Sequence, residues 1–137
     1  MTYLLDTNAC IAVINGRPEQ VRAHLERALG GGDAVAVPVV ALFELWYGVA
    51  KSARREANAE RLHTFLAGPL EVLPFESDDA HAAGRIRAAL EAAGTPIGPY
   101  DLLIAGQALN RGLTLVTANG AEFARVADLA WQDWAAP

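Results

Sequence analysis

Residues 2–8 read Thr2-Tyr3-Leu4-Leu5-Asp6-Thr7-Asn8, a short apolar run that ends at a carboxylate. The run from Thr2 to Leu5 is typical of a buried strand. Thr7 or Asn8 can cap a helix that follows at once. A strand that passes directly into a helix begins a βα unit, and it leaves Asp6 at the carboxyl end of the strand.

The same alternation continues along the chain. Further strands are predicted at 34–37, 71–74 and 113–117, with a last edge strand at 129–131. Helical spacing and caps predict helices through about residue 14, from Pro18, and over 39–50, 54–66, 77–93 and from Pro99, with a helical turn at Glu122-Phe123. The pattern predicts one α/β domain over residues 1–137, with a parallel sheet of four to five strands and helices on both faces.

Composition narrows the class of protein. The chain has 137 residues, of which 53% are hydrophobic, so we expect a globular fold. No apolar run approaches the roughly 20 residues that span a bilayer, and a cytoplasmic protein is the default expectation. The single cysteine excludes an internal disulfide and a multi-cysteine zinc site. A net charge of −5 argues against long-range attraction of nucleic acid, although local basic clusters remain.

Three acids stand in apolar surroundings. They are Asp6, Glu44 in Leu-Phe-Glu-Leu-Trp, and Asp101 in Pro-Tyr-Asp-Leu-Leu-Ile. Burying an ionised acid is costly unless it is paired or bound to a cation. Sites in open parallel sheets form at the carboxyl ends of strands, where all three acids can meet. A hard divalent cation such as magnesium or manganese is the simplest partner for such a cluster.

Each acid also has a purely structural interpretation. Asp6 can cap the first helix, Glu44 can lie on an exposed helix face, and Asp101 can interact with a helix dipole. Asn119 before a glycine is an ordinary turn signal, and Glu122 is interpreted as a solvated acid. The aromatic residues Phe43, Trp46 and Tyr47 are interpreted as core or dimer-interface groups in preference to base-stacking groups.

Four segments, in this order, resemble the PIN-domain ribonucleases, and specifically the toxin component of VapBC-type toxin–antitoxin pairs. They are Leu5-Asp6-Thr7-Asn8, residues 39–48 (VVALFELWYG), residues 97–105 (IGPYDLLIA), and Leu115-Val116-Thr117-Ala118-Asn119 with Glu122-Phe123. Each motif alone is weak. Together, and with the length and the α/β alternation, they are specific and cover essentially the whole chain.

The resemblance implies an endoribonuclease that depends on magnesium or manganese. It implies that Asp6, Glu44 and Asp101 are metal ligands and catalytic groups. It also implies that Thr7 and Asn8 support Asp6, and that Thr117 supports the fourth position of the acidic site. Many family members have an acid near that fourth position, whereas this chain has Asn119, with Glu122 as the nearest carboxylate. An amide adds no charge, so the number of metals is left open.

The resemblance also implies partners: an RNA substrate, a small antitoxin protein near the active site, and a second copy of the chain in a homodimer. Two other functions remain open at this point. A small metal-dependent phosphatase with an aspartyl nucleophile would want a second acid two residues after Asp6, where Asn8 stands. A non-catalytic module that binds RNA or protein is supported mainly by the missing fourth acid.

Overall fold

The computed structural model describes all residues from 1 to 137, and its centre is a five-stranded parallel sheet. The strand order is β3-β2-β1-β4-β5, and every pair of neighbours is parallel. The strands are β1 (Thr2–Leu5), β2 (Ala34–Pro38), β3 (Glu71–Leu73), β4 (Thr114–Val116) and β5 (Trp131–Gln132). This architecture confirms the predicted parallel α/β sheet.

Seven helices surround the sheet. They are α1 (Thr7–Asn15), α2 (Glu19–Gly30), α3 (Val39–Lys51), α4 (Arg55–Leu66), α5 (Ser77–Ala92), α6 (Pro99–Arg111) and α7 (Gly120–Phe123). Their bounds agree with the sequence patterns to within one or two residues. The largest shift is in the last strand, which was predicted at 129–131 and begins only at Trp131. None of the helices combines the length and apolar character needed to cross a bilayer.

Both faces of the sheet are covered. Leu4 and Leu5 are adjacent in β1, so their side chains point to opposite faces, and both are 0% exposed. They belong to a cluster of 27 buried hydrophobic residues that also includes Cys10 and Trp134. The prediction of Cys10 as a core residue is therefore confirmed. Continuous burial along a strand is the expected result when helices pack on both sides of a parallel sheet.

The order of the strands reverses between β1 and β4. From β1 the chain continues to β2 and β3 on one side, whereas β4 and β5 lie on the other side. The backbone N–H of Asp6 donates to the carbonyl of Val116 at 3.1 Å, which holds the carboxyl ends of β1 and β4 together. A crevice at such a switch point is where ligands bind in open parallel sheets. The fold thus places Asp6 at the mouth of this crevice.

Acidic residues are the N-caps of two helices. Asp6 itself, and neither Thr7 nor Asn8, is the N-cap of α1, since its Oδ1 accepts from the backbone N–H of Ala9 at 2.8 Å. At α5, which begins at Ser77 as predicted, the cap is Glu76, and it forms a full capping box with Asp79. Sequence spacing missed this box because a glutamate cap is less common than a serine cap.

Helices α5 and α6 pack with almost no space between their backbones. A Cβ built on Gly106 of α6 would lie 2.6 Å from the Cβ of Ala83 and 2.7 Å from its backbone nitrogen. Real Cβ atoms do not approach this closely, so position 106 accepts only glycine at this separation. The contact fixes the height of α6 against α5, and with it the position of Asp101 in the first turn of α6.

A buried ion pair fixes the other end of α6. Asp79 is 0% exposed and accepts from the Nε and Nη2 atoms of Arg111 at 3.2 and 2.8 Å. Asn110 donates to the same carboxylate at 2.9 Å, and Arg111 also donates to the carbonyl of Pro74 at 2.8 Å. Hydrogen bonds from Arg111 and its neighbours outweigh burial and hold the pKa of Asp79 below its usual range. The pair ties α6 to the start of α5.

We expect Arg111→Met to lower the free energy of unfolding by about 2–3 kcal/mol, because it leaves the buried Asp79 without its cation. Urea unfolding followed by circular dichroism measures this change. Arg87→Met is the matched control, because Arg87 pairs with Glu91 on an exposed helix face and such pairs contribute less than about 1 kcal/mol. Equal losses of unfolding free energy in the two variants would contradict a stabilising role for the buried Asp79–Arg111 pair.

Candidate active site

Asp6 is the most deeply buried acid of the crevice. It is 4% exposed, and its Oδ1 is occupied by the Ala9 N–H. Burial raises the pKa of Asp6, hydrogen bonds from Thr117 and Ala9 partly offset that effect, and the nearby charges of Glu44 and Asp133 raise the pKa further. Asp6 therefore has both of the roles that its sequence position suggested: it caps α1 and it belongs to a cluster of acids.

Glu44 reaches the same crevice from α3. Its Oε1 accepts a 2.6 Å hydrogen bond from the Thr7 hydroxyl, so α1 and α3 are joined beside Asp6. Thr7 thus positions Glu44, whereas the sequence analysis expected it to support Asp6. Asn8 is exposed and forms no side-chain hydrogen bond, so it does not hold Asp6 through one. Glu44 is only partly exposed, which contradicts a fully solvated helix face.

Asp101 approaches from the first turn of α6, where the helix dipole favours a carboxylate. Burial is nevertheless the largest influence on it, followed by the charges of Glu122, Asp6 and Glu44, and together they raise the pKa of Asp101 to about 6. A helix N-terminus alone would lower this pKa. The three acids predicted from the sequence therefore share one electrostatic environment.

A fourth carboxylate completes the cluster. Glu122 accepts a 3.0 Å hydrogen bond from the Gly98 N–H and a very short one from the Asn119 amide, so each of its oxygens has one partner. The backbone N–H of Asn119 donates to Thr117 Oγ1 at 2.9 Å. Asn119 therefore orients Glu122, with Thr117 behind it. The interpretation of Glu122 as a solvated acid was wrong, because sequence distance from the motif hid its contact with the loop before α6.

The sequence analysis also missed a fifth acid. Asp133 follows β5 and lies close enough to Asp6 to raise its pKa. Its Oδ1 accepts from the backbone N–H of Ala135 at 2.9 Å. In sequence, Asp133 stands between polar and aromatic residues near the chain end, a context without any ligand signal. Only the parallel pairing of β5 with β4 brings it to the crevice.

The cluster has no cation of its own. None of Asp6, Glu44, Asp101 and Glu122 forms a salt bridge. No three of the histidine, cysteine, aspartate or glutamate side chains converge closely enough to form a ready-made metal cage. Carboxylates that repel one another at low dielectric remain apart until a cation neutralises them. An all-oxygen donor set of this kind fits a hard divalent ion and fits zinc or copper poorly.

The pattern of the PIN domain family matches residues 3–129, which is nearly the whole chain. The chain belongs to the PIN domain family. Within it, the chain is 40% identical to the tRNA(fMet)-specific endonuclease VapC of Salmonella typhimurium and 40% identical to ribonuclease VapC2 of Rickettsia felis, over 98% of each chain in both cases.

Solved PIN-domain structures agree with this assignment. The VapBC2 complex of Rickettsia felis, bound to a DNA fragment from its promoter, superposes with a TM-score of 0.91 at 38% identity, covering 98% of this chain and 99% of that one. The DNA-bound VapBC of Salmonella typhimurium gives a TM-score of 0.89 at 39% identity over 98% of both chains. The predicted family, and the PIN fold that the resemblance implied, are confirmed.

We expect Asp101→Asn to stabilise the metal-free PIN domain at pH 7. An unfolded aspartate has a pKa of about 4, whereas that of Asp101 is about 6, so the folded state binds more protons between these values. The contribution of this acid to stability therefore falls as pH rises from about 4 to 6 and stays low above it. The expected gain at pH 7 is up to about 2 kcal/mol, and it disappears below about pH 4.

Thermal unfolding in EDTA across this pH range measures the effect. The matched control is Asp78→Asn, which removes an exposed acid from the first turn of α5. That substitution loses only a favourable dipole interaction, so it should be slightly destabilising. If Asp101→Asn behaved like the control at pH 7, Asp101 would not be held in a repulsive cluster.

Proposed function

We propose that this chain is a divalent-metal-dependent endoribonuclease that acts as the toxin of a toxin–antitoxin pair. The observation that supports this proposal is the crevice at the end of β1. There the charges of Asp6, Glu44, Asp101 and Glu122 influence one another, and none of these acids forms a salt bridge. The raised pKa of Asp6 and of Asp101 shows that the metal-free arrangement is electrostatically unfavourable. Such sites are typical of function, since a stable core would place a cation or an apolar group there.

Asp6, Glu44 and Asp101 are the residues that would hold magnesium, for which manganese can substitute. A bound ion of this type supplies a Lewis acid and an activated water to a scissile phosphodiester. The chain's own residues set the geometry around it: Thr7 fixes the carboxylate of Glu44, and Asn119 with the Gly98 N–H fixes that of Glu122. Glu122 provides the negative charge that an amide at position 119 lacks.

Transfer RNA is the proposed substrate class. The relative from Salmonella typhimurium, named a tRNA(fMet)-specific endonuclease, is 40% identical over 98% of both chains. A second such relative, from Shigella flexneri, is 39% identical over the same share. These similarities support tRNA over other RNA for this chain, since the match extends over the loops that surround the acids.

The other two functions left open by the sequence are less well supported. A non-catalytic module was supported mainly by the missing fourth acid at Asn119. Glu122 supplies a fourth carboxylate, whose charge acts on Asp101. An aspartyl phosphatase would need a second acid at position 8, where this chain has the exposed amide Asn8. The arrangement favours metal-assisted hydrolysis, in which the carboxylates bind a cation and none of them attacks the substrate.

We expect Asp6→Asn to abolish magnesium-dependent RNA cleavage while the protein stays folded. An asparagine can still accept the cap hydrogen bond from Ala9, but it removes one ligand charge, so the loss should be at least about 100-fold. Glu122→Gln should reduce cleavage by a smaller factor. Cleavage of a labelled tRNA transcript, with circular dichroism as the folding check, measures both effects.

Calorimetric titration with magnesium separates metal loss from other causes. Binding heat should disappear in Asp6→Asn. It should persist in Glu91→Gln, which removes one negative charge from an exposed site on α5. Full magnesium-dependent cleavage by Asp6→Asn would rule out the proposed metal centre. Metal binding without any RNA cleavage by the wild type would instead favour the binding module.

A small antitoxin is the proposed protein partner. Solved structures that superpose on this chain include the VapBC2 complex of Rickettsia felis and the VapBC complex of Salmonella typhimurium. Beside Glu44, an open groove of about 310 Å³ lies between α1, α3 and α4. Half of its lining residues are hydrophobic, among them Ile11, Leu45, Val49 and Leu62, and the polar ones include Arg61. An apolar segment followed by a cationic side chain would fill this groove and neutralise the acids.

We expect Ile11→Lys to weaken this complex. Ile11 is 40% exposed on the groove wall, so a lysine there desolvates poorly under an apolar partner. The measurement is co-purification with the small protein encoded beside the gene. Val72→Lys is the control, since Val72 is also 40% exposed and lies on β3, outside the groove. Equal recovery of the small protein with both variants would remove the groove from the interface.

A further inference from the structure

Three aromatic rings beside the acids are exposed. Phe43 is 55% exposed, Tyr47 59% and Tyr100 44%, although large rings usually bury most of their surface. Phe43 lies on α3 beside Glu44 in sequence, and Tyr100 lies on α6 beside Asp101, so two of the rings are on the helices that carry acids of the crevice. Their ring centroids are 5.6 Å apart, which joins α3 to the start of α6. Phe43 and Tyr47 are therefore not core residues, whereas Trp46 is partly buried against the core. Their interpretation as dimer-interface groups stays a prediction.

On α3, a lysine lies on the same helix face as two of these rings. Phe43, Tyr47 and Lys51 follow one another at intervals of four residues, so they lie on one face of the helix. The Nζ of Lys51 stands 4.8 Å from the centroid of the Tyr47 ring, a cation–π contact that holds the ammonium near the ring. Eight residues of helix span about 12 Å, so this face leads away from the acids over the length of a few nucleotides.

The face ends at a basic turn. Lys51, Arg54 and Arg55 are all exposed where α3 passes into α4, and none of them forms a salt bridge. These are three of only 11 basic residues in a chain whose net charge is −5. Unpaired cations grouped at one turn of a chain with a net negative charge complement a polyanion. We call Phe43, Tyr47, Tyr100, Lys51, Arg54 and Arg55 the α3 track.

We propose that the α3 track binds an unpaired RNA segment and guides it to the acidic crevice. Exposed rings stack on bases that are not paired, whereas a duplex keeps its base faces covered. The basic turn contacts the phosphates of the same strand. A second copy of the chain is the less favoured occupant, because the three unpaired cations at the end of this face match the continuous negative charge of a phosphate backbone. This inference rests on the proposed ribonuclease function, because guiding RNA to the acids matters only if the acids cleave it.

Binding can be tested without cleavage. Fluorescence anisotropy of a labelled single-stranded RNA, measured in EDTA, gives Kd for the wild type and its variants. We expect Tyr47→Leu to raise Kd about tenfold, since loss of one stacked ring weakens binding by roughly 5- to 100-fold. Tyr47→Phe keeps the ring and should bind like the wild type. The same RNA annealed to its complement should bind more weakly and should not distinguish Leu from Phe at position 47.

The basic turn has its own matched pair. Lys51→Gln should weaken binding of the single strand and should make its salt dependence less steep, because one phosphate contact is lost. Arg85→Gln makes the same change of charge at an exposed, unpaired site on α5 and should leave Kd unchanged. In the magnesium-dependent cleavage assay, Tyr47→Leu should raise KM and change kcat by less than about twofold, since it removes binding and no group of the acid cluster.

Several results would contradict the proposal that the α3 track binds RNA. One is equal Kd values for wild type, Tyr47→Leu and Lys51→Gln. Another is light scattering that shows a dimer in the wild type and a monomer in Tyr47→Leu, which would make this face a contact between copies. The ribonuclease proposal is judged separately: if the wild type cleaves RNA and Asp6→Asn does not, that function stands whatever the anisotropy shows.

Discussion

Repulsion between carboxylates that have no cation among them is the constraint on which the rest of this molecule depends. Asp6 is buried at the end of the central strand, and Asp101 is charged only above a pKa of about 6 because burial and three other acids oppose its ionisation. A fold with no other requirement would remove this unfavourable energy with a single lysine. The chain instead retains it, and the remainder of the structure holds the acids together against their repulsion.

The restraints on the acids come from separate elements. The hydroxyl of Thr7 holds Glu44, the turn at Asn119 holds Glu122, and the pairing of β1 with β4 places Asp6 between them. At the far end of α6, the buried pair of Asp79 and Arg111 anchors the helix that carries Asp101. Because these restraints do not share residues, each acid is held at the crevice by contacts of its own, although the carboxylates do not converge into a metal cage.

Sequence alone predicted the sheet and three of the acids, because buried parallel strands and charges in apolar runs are local signals. It could not identify Glu122 or Asp133, whose neighbours in sequence are ordinary for exposed turns. Their roles arise from contacts across the fold: Glu122 with the Gly98 N–H, and Asp133 through the pairing of β5. The role of Thr7 was misassigned for the same reason, since a residue next to Asp6 in sequence bonds to an acid 37 positions away. Likewise, a helical pattern cannot reveal which ring of α3 remains without a covering neighbour.

The close approach of Gly106 to Ala83 has a consequence for how this site can vary among sequences. Position 106 lies five residues beyond Asp101, about 7.5 Å along the same helix, and touches no acid. A methyl group there would force α6 away from α5, and the helix would carry its first turn with it. The chemistry of the crevice is therefore vulnerable at a position with no chemistry of its own: a glycine that sets the spacing of two helices also sets the distance between charges.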